Sequence, residues 1–274
     1  MREIVVFRGG GDLATGAVQK IHRAGFKVLI LEVPAPLCVR RTVSLSEAVY
    51  ERVQRVEDIS AVRISSLDEM EEVFLQDKVP ILIDPNAELI EAIHPLAIID
   101  ATIAKRNIGT NKSMAPISIA LGPGYEAGVD VDYVVETNRG HHLGRLLFKG
   151  FAAENTGVPG VIGGYSKERV YYSPADGMVD SMKDIGDVVE EGQILAYVDE
   201  IPVRAAIRGL VRGMLRGGVP VKQGVKIADV DPRFEALQNC YTISDKSRSV
   251  GGAVLEAFLL GLKSLKQQVY QNDK

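Results

Sequence analysis

The sequence predicts an α/β protein: a parallel-sheet domain first, a small all-β domain after it, and a closing helix. Three observations carry that prediction. The chain opens as strand, glycine loop, helix, strand. Apolar runs and helical patterns then alternate to about residue 100, as a parallel sheet requires. From Ser173 the chain repeats itself at an offset of 32 residues.

In the opening unit, Glu3 to Phe7 is a short, mostly apolar strand. Gly9, Gly10 and Gly11 follow it, and Leu13, Ala14, Ala17, Val18 and Ile21 recur at helical spacing. Gly25 stops that helix, and Phe26 to Leu31 forms a second strand ending on Glu32. Gly9, Gly11 and Ala14 fit G-x-G-x-x-A, and Glu32 is the acid about twenty residues on that can take ribose hydroxyls. The unit reads as the first βαβ of a Rossmann-like sheet, with a helix N-terminus offered to an anion. Asp12 reads as the helix N-cap, and its carboxylate there would repel a phosphate.

Next come the rigid Pro34-Ala35-Pro36 loop and the basic pair Arg40-Arg41. Ser44 with Glu47, and Ser66 with Glu69, have capping-box spacing; each predicts a short helix, through about Val53 and Leu75. Strands are predicted at Ala61–Ile64, Val79–Ile83 and Ala97–Ile99, and a helix over residues 87–93. Glu32, Asp84 and Asp100 all end strands, on the side where open α/β sheets bind ligands; Asp84, beside Pro85 and Asn86, also suits a turn.

Residues 103–164 are rich in glycine, with a strand expected over residues 130–136. Lys105, Arg106, Arg139 and Arg145 are candidates to grip phosphate or carboxylate, beside the glycines Gly122 and Gly124. His141 and His142 are adjacent, so on a strand their rings face opposite sides. No shared metal is expected; His141 is an acid–base candidate together with Asp100.

In the repeat, Gly177, Gly186 and Gly192 match Gly209, Gly218 and Gly224, and Met182, Val189, Ala196, Val198 and Asp199 match Met214, Val221, Ala228, Val230 and Asp231. Such self-similarity signals internal symmetry. Gly186 to Ala196 resembles a biotinyl/lipoyl-type barrel-sandwich hybrid domain. Its hairpin, Asp199 to Arg204, has no lysine to carry a prosthetic group, so docking or covering a site is expected instead. The domain boundaries expected are 1–170, 171–232 and 233–274. The last part holds a helix over residues 250–269, whose apolar stripe is expected to pack on the first domain or to form a homodimer contact.

The chain has 274 residues, 46% hydrophobic and 25% charged, with net charge −4 and no tryptophan. That composition gives no footprint for nucleic acid. No apolar run reaches membrane-span length, and a cytoplasmic protein is expected. Cys38 and Cys240 form no disulfide or metal framework, but Cys38 lies near Arg40 and Arg41, which would lower its pKa if adjacent in space.

Taken together, Arg8 to Gly16, Val39-Arg40-Arg41, Ser46 to Tyr50, Ile99 to Lys105, Ala120 to Gly124, Val135 to His141 and Gly251 to Ala257 resemble the YqeB family of selenium-dependent molybdenum hydroxylase system proteins. That resemblance covers nearly the full length. It implies an accessory factor that helps to mature a molybdenum hydroxylase, with the apo-hydroxylase as partner and a molybdopterin-type cofactor or a nucleotide as ligand. Gly9, Gly10, Gly11, Asp12, Glu32, Arg40, Arg41, Lys105, Arg106, Gly122, Gly124, Arg139 and Arg145 are the expected binding residues. The alternatives are a nucleotide-dependent oxidoreductase or transferase using Asp100 or His141 for proton transfer, and a docking scaffold.

Overall fold

The structure is a computed structural model that describes residues 4–272; Glu3, placed in the first strand by the sequence, lies outside them. The opening unit forms β1 (Ile4–Arg8), α1 (Asp12–Arg23) and β2 (Lys27–Glu32). Gly11 is the N-cap of α1 and Asp12 the first helical residue, so Asp12 does not cap the helix.

After α2 (Ala48–Glu51), the hairpin β3 (Val53–Val56) and β4 (Ile59–Arg63) leads to α3 (Met70–Leu75) and β5 (Val79–Ile83). The capping box of Ser66 and Glu69 is formed. Glu47 does not cap: it is buried and pairs with Arg216 at 2.9 Å. Next come α4 (Ile90–Ile93), β6 (Ala97–Asp100), β7 (Ile117–Leu121), β8 (Glu126–Ala127), β9 (Tyr133–Val135), β10 (Leu146–Leu147) and β11 (Gly150–Phe151).

The expected fold class is corrected in both of its parts. The main sheet is mixed, with nine strands ordered β10-β9-β7-β6-β1-β2-β5-β4-β3. Its inner pairs are parallel, but β3 is antiparallel to β4 and β10 to β9. Only Glu57 and Asp58 separate β3 from β4, and residues 136–145 run from β9 to β10 without a crossover helix. Connections that short return the chain antiparallel.

The second part is two four-stranded antiparallel sheets rather than the expected barrel-sandwich hybrid. Its strands are β12 (Val170–Tyr172), β13 (Gly177–Ser181), β14 (Val188–Val189), β15 (Ile194–Val198), β16 (Ile201–Arg204), β17 (Gly209–Met214), β18 (Pro220–Val221) and β19 (Lys226–Asp231). They run β12-β19-β17-β14 and β16-β15-β13-β18. Each sheet combines two strands of one repeat with the middle strand of the other: β13 pairs with β15 and β18, β17 with β19 and β14. β12 and β16 add the outer edges. They lie outside the aligned repeat, so the 32-residue period carries no sign of them.

The last element, α5 (Asp245–Asn272), lays Val250, Val254, Ala257 and Phe258 into the core that also contains Ala14, Ala17, Val18 and Ile21 of α1. Among the described residues, no helix is long and apolar enough to cross a membrane.

Candidate functional site

β1 lies between β2 on one flank and β6 on the other. The chain runs from β1 outward through β2 and on to β5, then crosses back to place β6 on the other flank of β1, so the carboxyl ends of β1, β2 and β6 open a crevice where α/β sheets bind ligands. A cavity of about 520 Å³ lies there, lined by Arg8, Gly9, Gly11, Asp12, Glu32, Leu37, Cys38, Ala101 and Thr102 among others. That volume suits a small-molecule site.

The glycine loop holds itself together before it meets any ligand. The Gly9 N–H donates to Leu31 O at 2.8 Å. The Gly10 N–H donates to Glu32 Oε1 at 2.8 Å, and the Val33 N–H to Glu32 Oε2 at 2.7 Å. Burial raises the Glu32 pKa, and these two backbone donors partly offset it. Glu32 is therefore the clasp of the loop; each oxygen keeps one acceptor site for a ligand hydroxyl. Gly9 has φ +89°, and a Cβ there would sit 3.2 Å from Ala101 O, so this glycine serves the packing of β1 against β6.

Arg8 and Asp100 face each other as register partners at the ends of β1 and β6. Both are buried, 3.6 Å apart. Arg8 donates to Thr110 Oγ1 at 2.6 Å and to Pro85 O at 2.9 Å. Asp100 accepts from Thr102 N at 3.2 Å, Thr102 Oγ1 at 2.6 Å, Thr110 Oγ1 at 2.6 Å and Tyr125 Oη at 2.7 Å. Four donors occupy the carboxylate, so Asp100 positions Arg8 and Thr102 at the cavity floor. Asp100 and burial together push the Tyr125 hydroxyl up to about 12, burial being the larger cause. Asp84 is likewise committed, accepting from Glu88 N and Leu89 N at 3.0 Å each, as a turn-forming residue does.

Cys38 sits in the cavity wall at the start of α1. Its Sγ lies 2.7 Å from Ser44 Oγ, and Ser44 Oγ donates to Arg40 O at 2.8 Å, so the thiol is the donor in the first contact. Burial and the Asp12 charge push the thiol up to about 12, partly offset by its hydrogen bonding with Ser44 and with the Asp12 and Arg40 backbone. The arginines expected to activate it point elsewhere: Arg40 donates to Asn239 O and Arg41 to Met214 O and Asp184. Alkylation of Cys38 by iodoacetamide, located by peptide mass spectrometry, should therefore rise about tenfold per pH unit from pH 8 to 11, because only the thiolate reacts. Asp12→Asn should speed it at pH 8; a rate that levels off below pH 9 contradicts this assignment.

The other predicted residues fall in three places. Lys105 and Gly124 line a separate cavity of about 390 Å³ with Phe151 and Asn155, and a Cβ on Gly124 would collide with the Arg106 backbone. Gly122 packs against Thr137, and the Arg106 side chain is exposed. Arg139 lines another cavity and pairs with Asp245 at 2.7 Å. Arg145 and His141 are exposed; His141 lies in a turn, not on a strand, with its ring edge-on to His142 at 5.0 Å. So the first crevice gathers Gly9, Gly11, Asp12 and Glu32, with Gly10 in the loop behind it and Asp100 beneath, but not the distal cations. Sequence reasoning passed over Arg8, Thr110, Tyr125 and the Cys38–Ser44 contact. One sign was available: an arginine ends the otherwise apolar β1, opposite an acid at the end of another strand.

No family model matches the chain. It is 42% identical over 269 residues to the uncharacterized protein YqeB of Escherichia coli K12, a match covering 97% of this chain and 50% of that protein. The chain thus spans about half the length of the curated relative. Among solved structures, the ectoine utilization protein EutE (DoeB) from Ruegeria pomeroyi aligns over 83% of this chain and 85% of its own, at 13% identity and TM-score 0.25. An aspartoacylase family protein from Mesorhizobium loti aligns over 84% and 85%, at 14% identity and TM-score 0.26. These structural likenesses are too distant to transfer any property. The sequence identity to YqeB, sustained along nearly the whole chain, supports placing the chain in the YqeB family.

Proposed function

We propose that this chain is a cofactor-handling accessory factor for a molybdenum hydroxylase, and that it holds a molybdopterin-type cofactor or a nucleotide in the crevice beyond β1, β2 and β6. The observation that supports this most is the composition of the cavity wall: a helix N-terminus and one buried guanidinium, Arg8, beside two carboxylates, Asp12 and Glu32. A phosphate suits Arg8 and the first turn of α1. The amino edge of a pterin or the hydroxyls of a ribose suit Asp12 and Glu32. The cofactor brings the chemistry of the hydroxylase; this chain binds and orients it. The commitment of Asp100 to four donors and the exposed position of His141, which does not line the crevice, favour holding over turnover. The molybdenum link itself rests on the motif resemblance, and the apo-hydroxylase is the partner it names.

Leu37 lines the cavity and is 43% exposed, so Leu37→Trp should fill the mouth without disturbing the core. Calorimetric titration of the purified chain with mononucleotides and with molybdopterin cofactor should show binding to the wild type and at least tenfold weaker binding to this variant, about 1.4 kcal/mol. Absence of binding by the wild type to every one of these ligands, or equal binding by both proteins, would sink the proposal.

A further inference from the structure

A second cavity, of about 450 Å³, lies where the main sheet, the repeat sheets and the start of α5 meet. Three arginines line it from three distant parts of the chain: Arg139 after β9, Arg212 on β17 and Arg233 after β19. Arg139 is paired through two nitrogens with Asp245, at 2.7 and 3.2 Å. Arg233 is paired through two nitrogens with Asp231, at 2.9 and 2.8 Å. Arg212 has no hydrogen-bonding or ion-pair partner among the described residues, and its Nε is shut away from solvent. Next to this group is Arg40, 7% exposed, whose Nε is also unpartnered and whose one side-chain bond goes to Asn239, a residue of the cavity wall.

Four guanidiniums therefore gather here; Arg139 and Arg233 hold Asp245 and Asp231 directly, whereas Arg212 and Arg40 make no direct ion pair and feel only the longer-range charge of Asp231, Asp245, Asp229 and Asp12. Arginine cannot shed its proton to relieve this, and a guanidinium nitrogen shut away from water without a partner is costly. A buried donor without a partner calls for an explanation, and a bound anion is one. The planar fork of arginine matches the oxygens of a phosphate, and Ser244 and Asp245, at the start of α5, bring the positive end of a long helix to the cavity. None of the described lining residues is aromatic, so nothing there stacks a base.

We infer that this cavity is a second binding site, for a small multiply charged oxyanion of the phosphate class, such as pyrophosphate or a phosphorylated metabolite, gripped by Arg139, Arg212 and Arg233. It is separate from the crevice beyond β1, β2 and β6 and does not depend on what that crevice holds.

The test is titration of inorganic pyrophosphate into the full chain at constant ionic strength, with citrate as the carboxylate arm, followed by calorimetry and thermal unfolding. Pyrophosphate should bind and raise the melting temperature. Arg212→Gln should weaken it at least tenfold and, because Arg212 makes no hydrogen bond or direct ion pair among the described residues, should leave the melting temperature of the ligand-free protein unchanged or higher. Leu37→Trp should bind pyrophosphate as the wild type does. The assignment is overturned by absence of pyrophosphate binding, by equal binding to Arg212→Gln, by citrate binding as tightly as pyrophosphate, by loss of binding in Leu37→Trp, or by a large fall in the ligand-free melting temperature of Arg212→Gln.

Discussion

Asp100→Ala should cost about 3–5 kcal/mol of folding stability, the loss expected when one partner of a buried charge pair is removed. For a chain of this size that is roughly 6–20 °C in melting temperature. Arg8 and Asp100 are 3% and 1% exposed, so no solvent replaces the missing charge. The loss extends beyond the ion pair. Thr102, Thr110 and Tyr125 each aim a donor at this carboxylate, and alanine leaves all three without their acceptor. Tyr125→Phe removes only one of these donors and should cost about 1–2 kcal/mol. Urea unfolding of the three proteins separates the cases; a loss below about 1 kcal/mol for Asp100→Ala would show that the carboxylate is not the hub. The distinction matters for function. Asp100 places Arg8 and Thr102 at the cavity floor, so its removal should weaken ligand binding too, and activity data alone would pass it off as a catalytic acid.

Much of the framework was legible because it depends on local pattern. β5 occupies Val79–Ile83 as read, and the capping box at Ser66 and Glu69 is present. The glycine matches of the 32-residue repeat correspond to strands that pair in equivalent ways. What was not legible depends on direction and on partners far along the chain. The helix the sequence predicts up to about Val53 ends instead at Glu51, and Val53 opens β3, a strand the apolar pattern does not predict. The antiparallel edges follow from connection lengths that a pattern of apolar runs does not display. The cations after Asp100 look like one cluster in sequence. A glycine-rich segment, however, sets no direction for its side chains, and Lys105, Arg139 and Arg145 end up at two cavities and on the surface. Glu32 was recognisable as a strand-end acid, but its partner, the Gly10 N–H, becomes apparent only when loop and strand are folded together.

Gly251→Val should destabilise the protein by about 3 kcal/mol, at the upper end of the usual cost of overpacking. Its neighbour Gly252→Ala should stabilise by roughly 0.5–1 kcal/mol through helix propensity. The two glycines are adjacent in α5, so the contrast isolates packing. A Cβ on Gly251 would lie 2.5 Å from Gly16 O and 3.0 Å from Ala17 N, both backbone atoms of α1, whereas one on Gly252 meets nothing within 4 Å. The contact is mutual: a Cβ on Gly16 would collide with Ser247 of α5. Ser247 Oγ donates to Asp12 O at 2.7 Å and accepts from the Gly16 N–H at 3.2 Å. The end of α1 that faces the crevice is therefore held by α5, and glycine is required at the crossing because backbone meets backbone. Gly251→Val must displace α1, and with it Asp12 and the loop glycines, so ligand affinity in the crevice should fall together with the melting temperature. Gly252→Ala should leave that affinity unchanged. Equal stability of Gly251→Val and the wild type would mean that the helices can part without cost, and α5 would then have no hold on the geometry of the site.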